Sequence, residues 1–171
     1  NNVDHCTRLC HAASVAALLE GIGSGAVTAP FTAAKDADFI LVIGANPAEN
    51  HPVAATFLKD AAARGATLAV ADPRATPLDA HAQHVLRFVP GADVALLNAL
   101  LNVVVTEGLY DRQYVAGRTE GFAALAAHVQ AFTPEAMEPV CGVPAETIRT
   151  VARAYARARA ALILWGMGIS Q

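Results

Sequence analysis

Aromatic residues are scarce, at 6% of 171 residues, and charged residues make up only 16%. No run of lysine or arginine appears, and the formal net charge is -3. Surfaces for nucleic acid or anionic membranes need clustered cations or stacked aromatics, so neither partner is expected. Long apolar runs are missing too. The nearest, ADFILVIGA at residues 37–45, is strand length, against the roughly 18 residues of a membrane-spanning helix. Cysteine is limited to Cys6, Cys10 and Cys141, whose uneven spacing argues against a disulfide framework and fits free thiols in a reducing compartment. Neither an internal repeat nor a low-complexity linker interrupts the chain. There is no initiator Met and no signal-peptide pattern, and LILWGMGISQ closes the sequence on a strand running into a Gly-rich loop. The chain is therefore expected to be an internal piece of a longer protein.

Apolar residues are plentiful, at 54%, and the length suits one compact domain with a real core. The low charged fraction argues against a disordered tail. Residues 1–11 read as irregular, followed by an Ala- and Leu-rich helix over Ala12–Glu20, a flexible GIGSG loop and a helical turn near Phe31–Lys35. Continuous apolar runs at Phe39–Ile43, Thr67–Ala71 and Ala161–Trp165 predict strands buried on both faces, with a shorter strand near Val85–Phe88. Between them the spacing predicts helices over His51–Arg64, with Val53, Phe57 and Leu58 on one side, and over Asp93–Glu107, with Leu96, Leu97, Leu100, Leu101 and Val104 inward. Shorter helices are expected at Tyr110–Ala116, Glu120–Gln130 and Pro134–Glu138, and a longer one begins at Pro144. Strands alternating with helices predict an α/β fold, a three-layer αβα sandwich around a mostly parallel, Rossmann-like sheet.

In open α/β sheets ligands bind beyond the carboxyl ends of the strands. Here those ends read GANPAENHP (residues 44–52), ADPR (71–74), PGAD (90–93) and GMGISQ (166–171). Gly, Asn, Pro and Asp also end strands simply because they make turns; it is the four tips together that point to a ligand. Glycine admits close backbone approach, Asp72 stands where a nucleotide-binding fold puts an acid on a ribose or base, and a helix start near His51 suits phosphate. GIGSG follows a helix and GANPAEN has one glycine where a dinucleotide fingerprint needs three, so a nucleotide site of another kind is expected.

The opening motif poses a separate problem, because Cys10 and His11 are adjacent just before a helix. One reading is a structural cysteine beside a surface histidine. Zinc held by Cys6, Cys10, His5 and His11 is a second, although zinc sites usually pair two such knuckles and Cys141 stands alone. A cysteine nucleophile activated by histidine is a third, and a thiolate bound to a heavier, softer metal is the fourth.

NNVDHCTRLCH, GANPAENHP, ADPR, EGLYDRQYVAGRTEGF and ILWGMGISQ, in this order, resemble the molybdenum- or tungsten-dependent formate dehydrogenases of the molybdopterin oxidoreductase superfamily, over the whole chain. The resemblance implies that residues 1–171 form a single domain binding molybdopterin guanine dinucleotide, part of a larger catalytic (alpha) subunit. It implies that Cys10 ligates Mo or W through sulfur and that His11 handles the proton of formate. The matching cofactor positions are Gly44, Asn46, Glu49, His51, Asp72, Pro73, Arg74, Gly91, Asp93, Gly166, Met167, Gly168 and Gln171. Glu49 replaces the commoner Asp, and Asp93 replaces Asn, adding negative charge beside a phosphate-rich cofactor. The implied centre is a bis-molybdopterin guanine dinucleotide, with a 4Fe-4S cluster outside these residues. Formate and electron-transfer subunits are the implied partners, and a cytoplasmic location is expected, with the periplasm as the alternative. His11 favours formate over nitrate, since related nitrate reductases carry a different residue, often Met, after the cysteine. Another superfamily member, such as formylmethanofuran dehydrogenase or a nitrate reductase, and a non-catalytic nucleotide-binding module are the other classes. The chemistry agrees: formate oxidation releases two electrons and a proton, a metal takes the electrons, and histidine as a residue type titrates near neutral pH.

Overall fold

The computed structural model describes residues 2–27 and 29–171. Asn1, the first residue of the opening motif, lies outside them. The stretch expected to be irregular contains one helical turn, α1 (Thr7–Cys10), closed by Cys10 N–H donating to the Cys6 carbonyl at 2.8 Å. It carries no apolar period, which is why the pattern does not announce it. α2 (Ala12–Ile22) runs one residue pair past its expected end, to Gly23 in the left-handed conformation. Neither helix has a buried residue. A short 3-10 turn, Phe31–Lys35, leads into β1 (Phe39–Ile43).

After β1 the chain makes a single turn, α3 (Pro47–Asn50), and then α4 (Pro52–Ala63). The expected continuous helix from His51 starts instead at Pro52, because proline is preorganised for the first helical position. Val53 is not in the core: it is 75% exposed, whereas Leu58 is fully buried. β2 (Thr67–Ala71), a 3-10 turn at Pro77–His81 and β3 (His84–Leu86) follow. Then come α5 (Asp93–Thr106), α6 (Arg112–Arg118), α7 (Phe122–His128), α8 (Pro134–Cys141) and α9 (Ala145–Arg157). β4 (Ala161–Trp165) and the turn α10 (Met167–Ser170) end the described chain. The fully buried residues of α5 are Leu96, Ala99, Asn102 and Val103; of the expected inward set Leu96 is among them and Leu97 and Leu100 pack against the same core. Asn102 is tolerated there because its amide donates to the Val129 carbonyl at 2.8 Å.

All four strands are parallel, in the order β3-β2-β1-β4. Successive side chains of a strand face opposite ways, and the two cores follow that alternation. Phe39, Leu41 and Ile43 join Leu96, Ile148 and Val151 under α5 and α9, while Ile40 and Val42 join Leu58 and Leu78 under α4. This is the expected three-layer sandwich. β1 and β2 are buried on both faces as anticipated, but β4 is not: Ile163 is 38% exposed. β4 pairs with β1 alone, so it is an edge strand among the described residues, a property of strand order that its apolar composition does not reveal.

Glu107 and Arg153 tie α5 to α9 with two hydrogen bonds of 2.8 and 2.9 Å. The hydrogen bond from Arg153 holds the Glu107 carboxyl below the usual carboxylate range. The pair is complete above that range and fades as pH falls through the lowered value. The core itself sets most of the stability. Ile148→Ala should cost about 2–5 kcal/mol and Val53→Ala within about 0.5 kcal/mol, read from urea midpoints; equal losses would show that α4 and α9 are packed otherwise than described.

Candidate functional site

The strand order reverses between β1 and β4, since the chain goes from β1 outward to β3 and returns to the other side of β1. Such a switch point opens a crevice at the carboxyl ends of the strands, because the connections leave on opposite faces. A cleft of about 1110 Å³ lies there. This exceeds the roughly 300–1,000 Å³ of most small-molecule pockets and suits an extended ligand.

The floor is glycine packed on glycine. Gly44, at φ +57°, follows β1, and Gly168 N–H donates to its carbonyl at 3.0 Å. A Cβ on Gly168 would lie 2.7 Å from Gly44 Cα, and one on Gly166 would lie 2.8 Å from Ala45 Cβ. These glycines, expected beside a ligand, all line the cleft and also admit each other's backbone. Gly91, at φ +81° with nothing within 4 Å, keeps the open space expected of a glycine beside a ligand.

The walls come from the other tips. Asp72 is 5% exposed and one carboxylate oxygen accepts the Arg74 N–H at 2.8 Å, with the Arg74 side chain reaching into solvent. The Asp72 carbonyl accepts from Arg87 at 2.8 Å, and Arg87 pairs with Asp79, which in turn holds Thr76 in a capping box. This scaffold for the ADPR loop escaped the sequence reading; the T-x-x-D spacing at Thr76 was its one signal. Pro73, Gly91, Asp93, Gly166 and Met167 border the same cleft. His51 stands at the start of α4 and Asp93 at the start of α5, so two helices turn their N-terminal ends toward it. Asn46 borders it too, and its Oδ1 is buried without a partner. An orphaned acceptor on a ligand-sized cleft fits a ligand N–H or O–H. Glu49 is the exception among the predicted contacts of this loop: it is exposed on α3 and away from the cleft lining.

Above the rim sit α1 and α2. Cys10 is half-buried, with Sγ 3.5 Å from Met167 Sδ and 3.6 Å from Gln171 Nε2, which also donates to the Cys10 carbonyl at 3.2 Å. His11 is exposed and borders the cleft. Gln171 thus meets Cys10 and is not part of the cleft lining. The third thiol, Cys141, is fully buried in the core, whereas Cys10 lies at the rim, so the two are different in kind. Among the described residues no group of three or more His, Cys, Asp or Glu converges, which removes the zinc reading of Cys6, Cys10, His5 and His11. Cys10 is not itself part of the cleft lining; its neighbour His11 and its contact Met167 are. A metal at Cys10 would need its remaining ligands from a cofactor.

The family described as Molybdopterin oxidoreductase matches residues 1–171. Formate dehydrogenase H of Escherichia coli (strain K12) is 42% identical over 171 residues, covering 100% of this chain and 24% of that protein. A nitrate reductase of Symbiobacterium thermophilum is 35% identical over 182 residues, covering 100% of this chain and 24% of that protein. Among solved structures, acetylene hydratase from Pelobacter acetylenicus superposes with a TM-score of 0.84 at 28% identity, over 96% of this chain and 22% of that one. The chain therefore spans about a quarter of the length of the curated relatives it matches.

The glycine floor is testable by substitutions of opposite sign. Gly168→Ala should destabilise by about 1–3 kcal/mol through forced overlap with Gly44. Gly117→Ala, in α6 with nothing within 4 Å, should stabilise by up to about 1 kcal/mol. Thermal melts decide; a neutral Gly168→Ala would mean the two loops are not in contact.

Proposed function

The chain belongs to the molybdopterin oxidoreductase family, and on that premise we propose that it is the cofactor-binding α/β domain of a formate dehydrogenase catalytic subunit. The family implies a molybdenum or tungsten pterin cofactor. The finer reading is that residues 1–171 grip one part of a bis-molybdopterin guanine dinucleotide, that Cys10 ligates the metal, and that His11 takes the proton released when formate becomes CO2. The observation that carries it is the Cys10 sulfur at the rim of the β1–β4 switch point, in contact with Met167.

When bound, the centre supplies the two-electron redox chemistry. This chain's residues do the rest. Cys10 offers a soft thiolate next to Met167, which borders the cleft. His11, next in sequence and bordering the cleft, is the side chain to which the proposal assigns the proton. Asp72 has one carboxylate oxygen occupied by the Arg74 N–H, which leaves the other for a base or ribose donor. Asn46 Oδ1 accepts a further ligand N–H or O–H. Arg74, His51 and the N-terminal ends of α4 and α5 would hold the cofactor's phosphates. Asp93 faces them as a like charge, and the open space at Gly91 keeps the backbone clear. A 4Fe-4S cluster elsewhere in the longer protein, electron-transfer subunits and a cytoplasmic setting complete the proposal.

A nitrate reductase is the second reading, favoured by the relative at 35% identity. Against it stand the higher identity, 42%, to a formate dehydrogenase and the histidine after Cys10. The test uses the full-length protein carrying this chain. Formate-dependent dye reduction and Mo or W by elemental analysis are expected; nitrate turnover without formate turnover would move the assignment to the second reading, and a folded protein free of both metals would end the enzyme reading. Cys10→Ser should fold normally and abolish turnover, so wild-type rates in that variant would remove the ligand assignment. His11→Ala should lower kcat by about 10²–10⁴-fold, with KM for formate changed much less. An unchanged kcat would take His11 out of the mechanism.

A further inference from the structure

We propose that Ser14 is a positioning residue that sets where Cys10 and His11 stand over the rim, acting through a three-member clasp with Trp165 and Ser170. The proposal rests on the reading of Cys10 as the metal ligand. It starts from a deficiency: neither α1 nor α2 has a single buried residue. Hydrophobic burial therefore does little to hold the segment that carries the reactive pair, and such elements are the least stable parts of a fold. Yet a metal ligand and a proton acceptor must be held to a fraction of an ångström.

Polar contacts supply what burial does not. The Trp165 indole N–H donates to Ser14 Oγ at 3.1 Å, and Ser14 Oγ shares a 2.7 Å hydrogen bond with Ser170 Oγ. Ser170 is buried, and Trp165 is the last residue of β4, so both anchors belong to the strand tip and the loop packed on it. A hydroxyl can accept from one neighbour while donating to another, and Ser14 is the one residue of the pair of exposed helices placed to do both. Val15 N–H donates to the His11 carbonyl at 2.9 Å, so Ser14 and His11 sit within one helical turn and move together. On the other side of His11, the Gln171 amide holds the Cys10 carbonyl. The reactive pair is thus bracketed: Ser14 pins the helix after it and Gln171 the turn before it. Ser14 also borders the cleft, but its oxygen is engaged by Trp165 and Ser170 rather than free for a ligand.

The experiment compares Ser14→Ala, Ser14→Thr, Ser170→Ala and Cys10→Ser in the full-length, metal-loaded protein. The readouts are metal content, the electron paramagnetic resonance spectrum of the pentavalent metal after partial reduction with dithionite, and kcat and KM for formate. Ser14→Ala is expected to keep its metal, to shift or broaden the spectrum, and to lose roughly tenfold or more in kcat, since a misplacement of about 1 Å can cost about a hundredfold. KM should move far less. Ser14→Thr, which keeps the hydroxyl, should restore both spectrum and rate. A Ser14→Ala protein with the wild-type spectrum and kcat overturns the proposal, and so does a loss that Ser14→Thr fails to rescue. Should Ser14→Ala not accumulate, Ser170→Ala, which removes half of the clasp, takes its place: a changed spectrum supports the proposal and an unchanged one overturns it. Cys10→Ser separates the two levels. If it leaves the spectrum unaltered, the ligand reading falls; if it alters the spectrum while Ser14→Ala does not, the clasp alone falls.

Discussion

The contact on which the rest depends is the backbone of Gly44 lying against that of Gly168. It joins the loop after β1 to the loop after β4 at the point where the strand order reverses. Side chains there would force the loops apart, because the space for a Cβ is already filled by peptide atoms. With the loops in contact, residues 166–171 form a shelf along the rim. Met167, Ser170 and Gln171 rise from that shelf to meet the exposed helices α1 and α2. Remove the shelf and Cys10 and His11 lose their support, since nothing in those two helices reaches the core.

Under the proposed function, a chain with a net charge of -3 has to present a cleft for an anionic cofactor. Arg74 is the permanent cation on the wall, offset by Asp72 and Asp93. Under the proposed function, a phosphate-rich ligand would be held by directed donors and not by bulk positive charge: backbone N–H groups at two helix starts, and an arginine carried on a braced loop. The bracing is itself electrostatic. Arg87 fixes the Asp72 carbonyl and pairs with Asp79, which makes the position of the Asp72 carboxylate a property of the scaffold behind it.

Legibility in the sequence followed locality. β1, β2 and β4 matched their expected bounds residue for residue, because a short apolar run closed by Gly or Asp is decided by neighbours. α6 came two residues later than expected; Asp111, whose carboxylate accepts the Tyr114 N–H, was the cap that marked its start. The exposure of Ile163 was illegible because edge status comes from strand order. The site divides the same way. Asp72, Arg74, Asn46, His51, Gly91 and Asp93 were reachable from the rule about strand tips, and they do share one cleft. Gly44 against Gly168, and Ser14 against Trp165, are pairings between opposite ends of the chain, and no local pattern encodes them.

A protein that contributes one thiolate to a metal controls that metal differently from one that builds a cage. In a cage, several side chains enforce geometry and each tolerates small errors in the others. Here the described residues offer no such convergent group. Under the proposed function, cofactor sulfurs set the coordination sphere, and the protein's influence passes through the placement of a single sulfur and the histidine beside it. That placement is decided outside the coordination sphere, by hydrogen bonds to the Cys10 carbonyl and the Ser14 hydroxyl. Supporting contacts then carry weight that ligands carry elsewhere, which is why two helices with no buried residue are tied to the strand tip at the switch point.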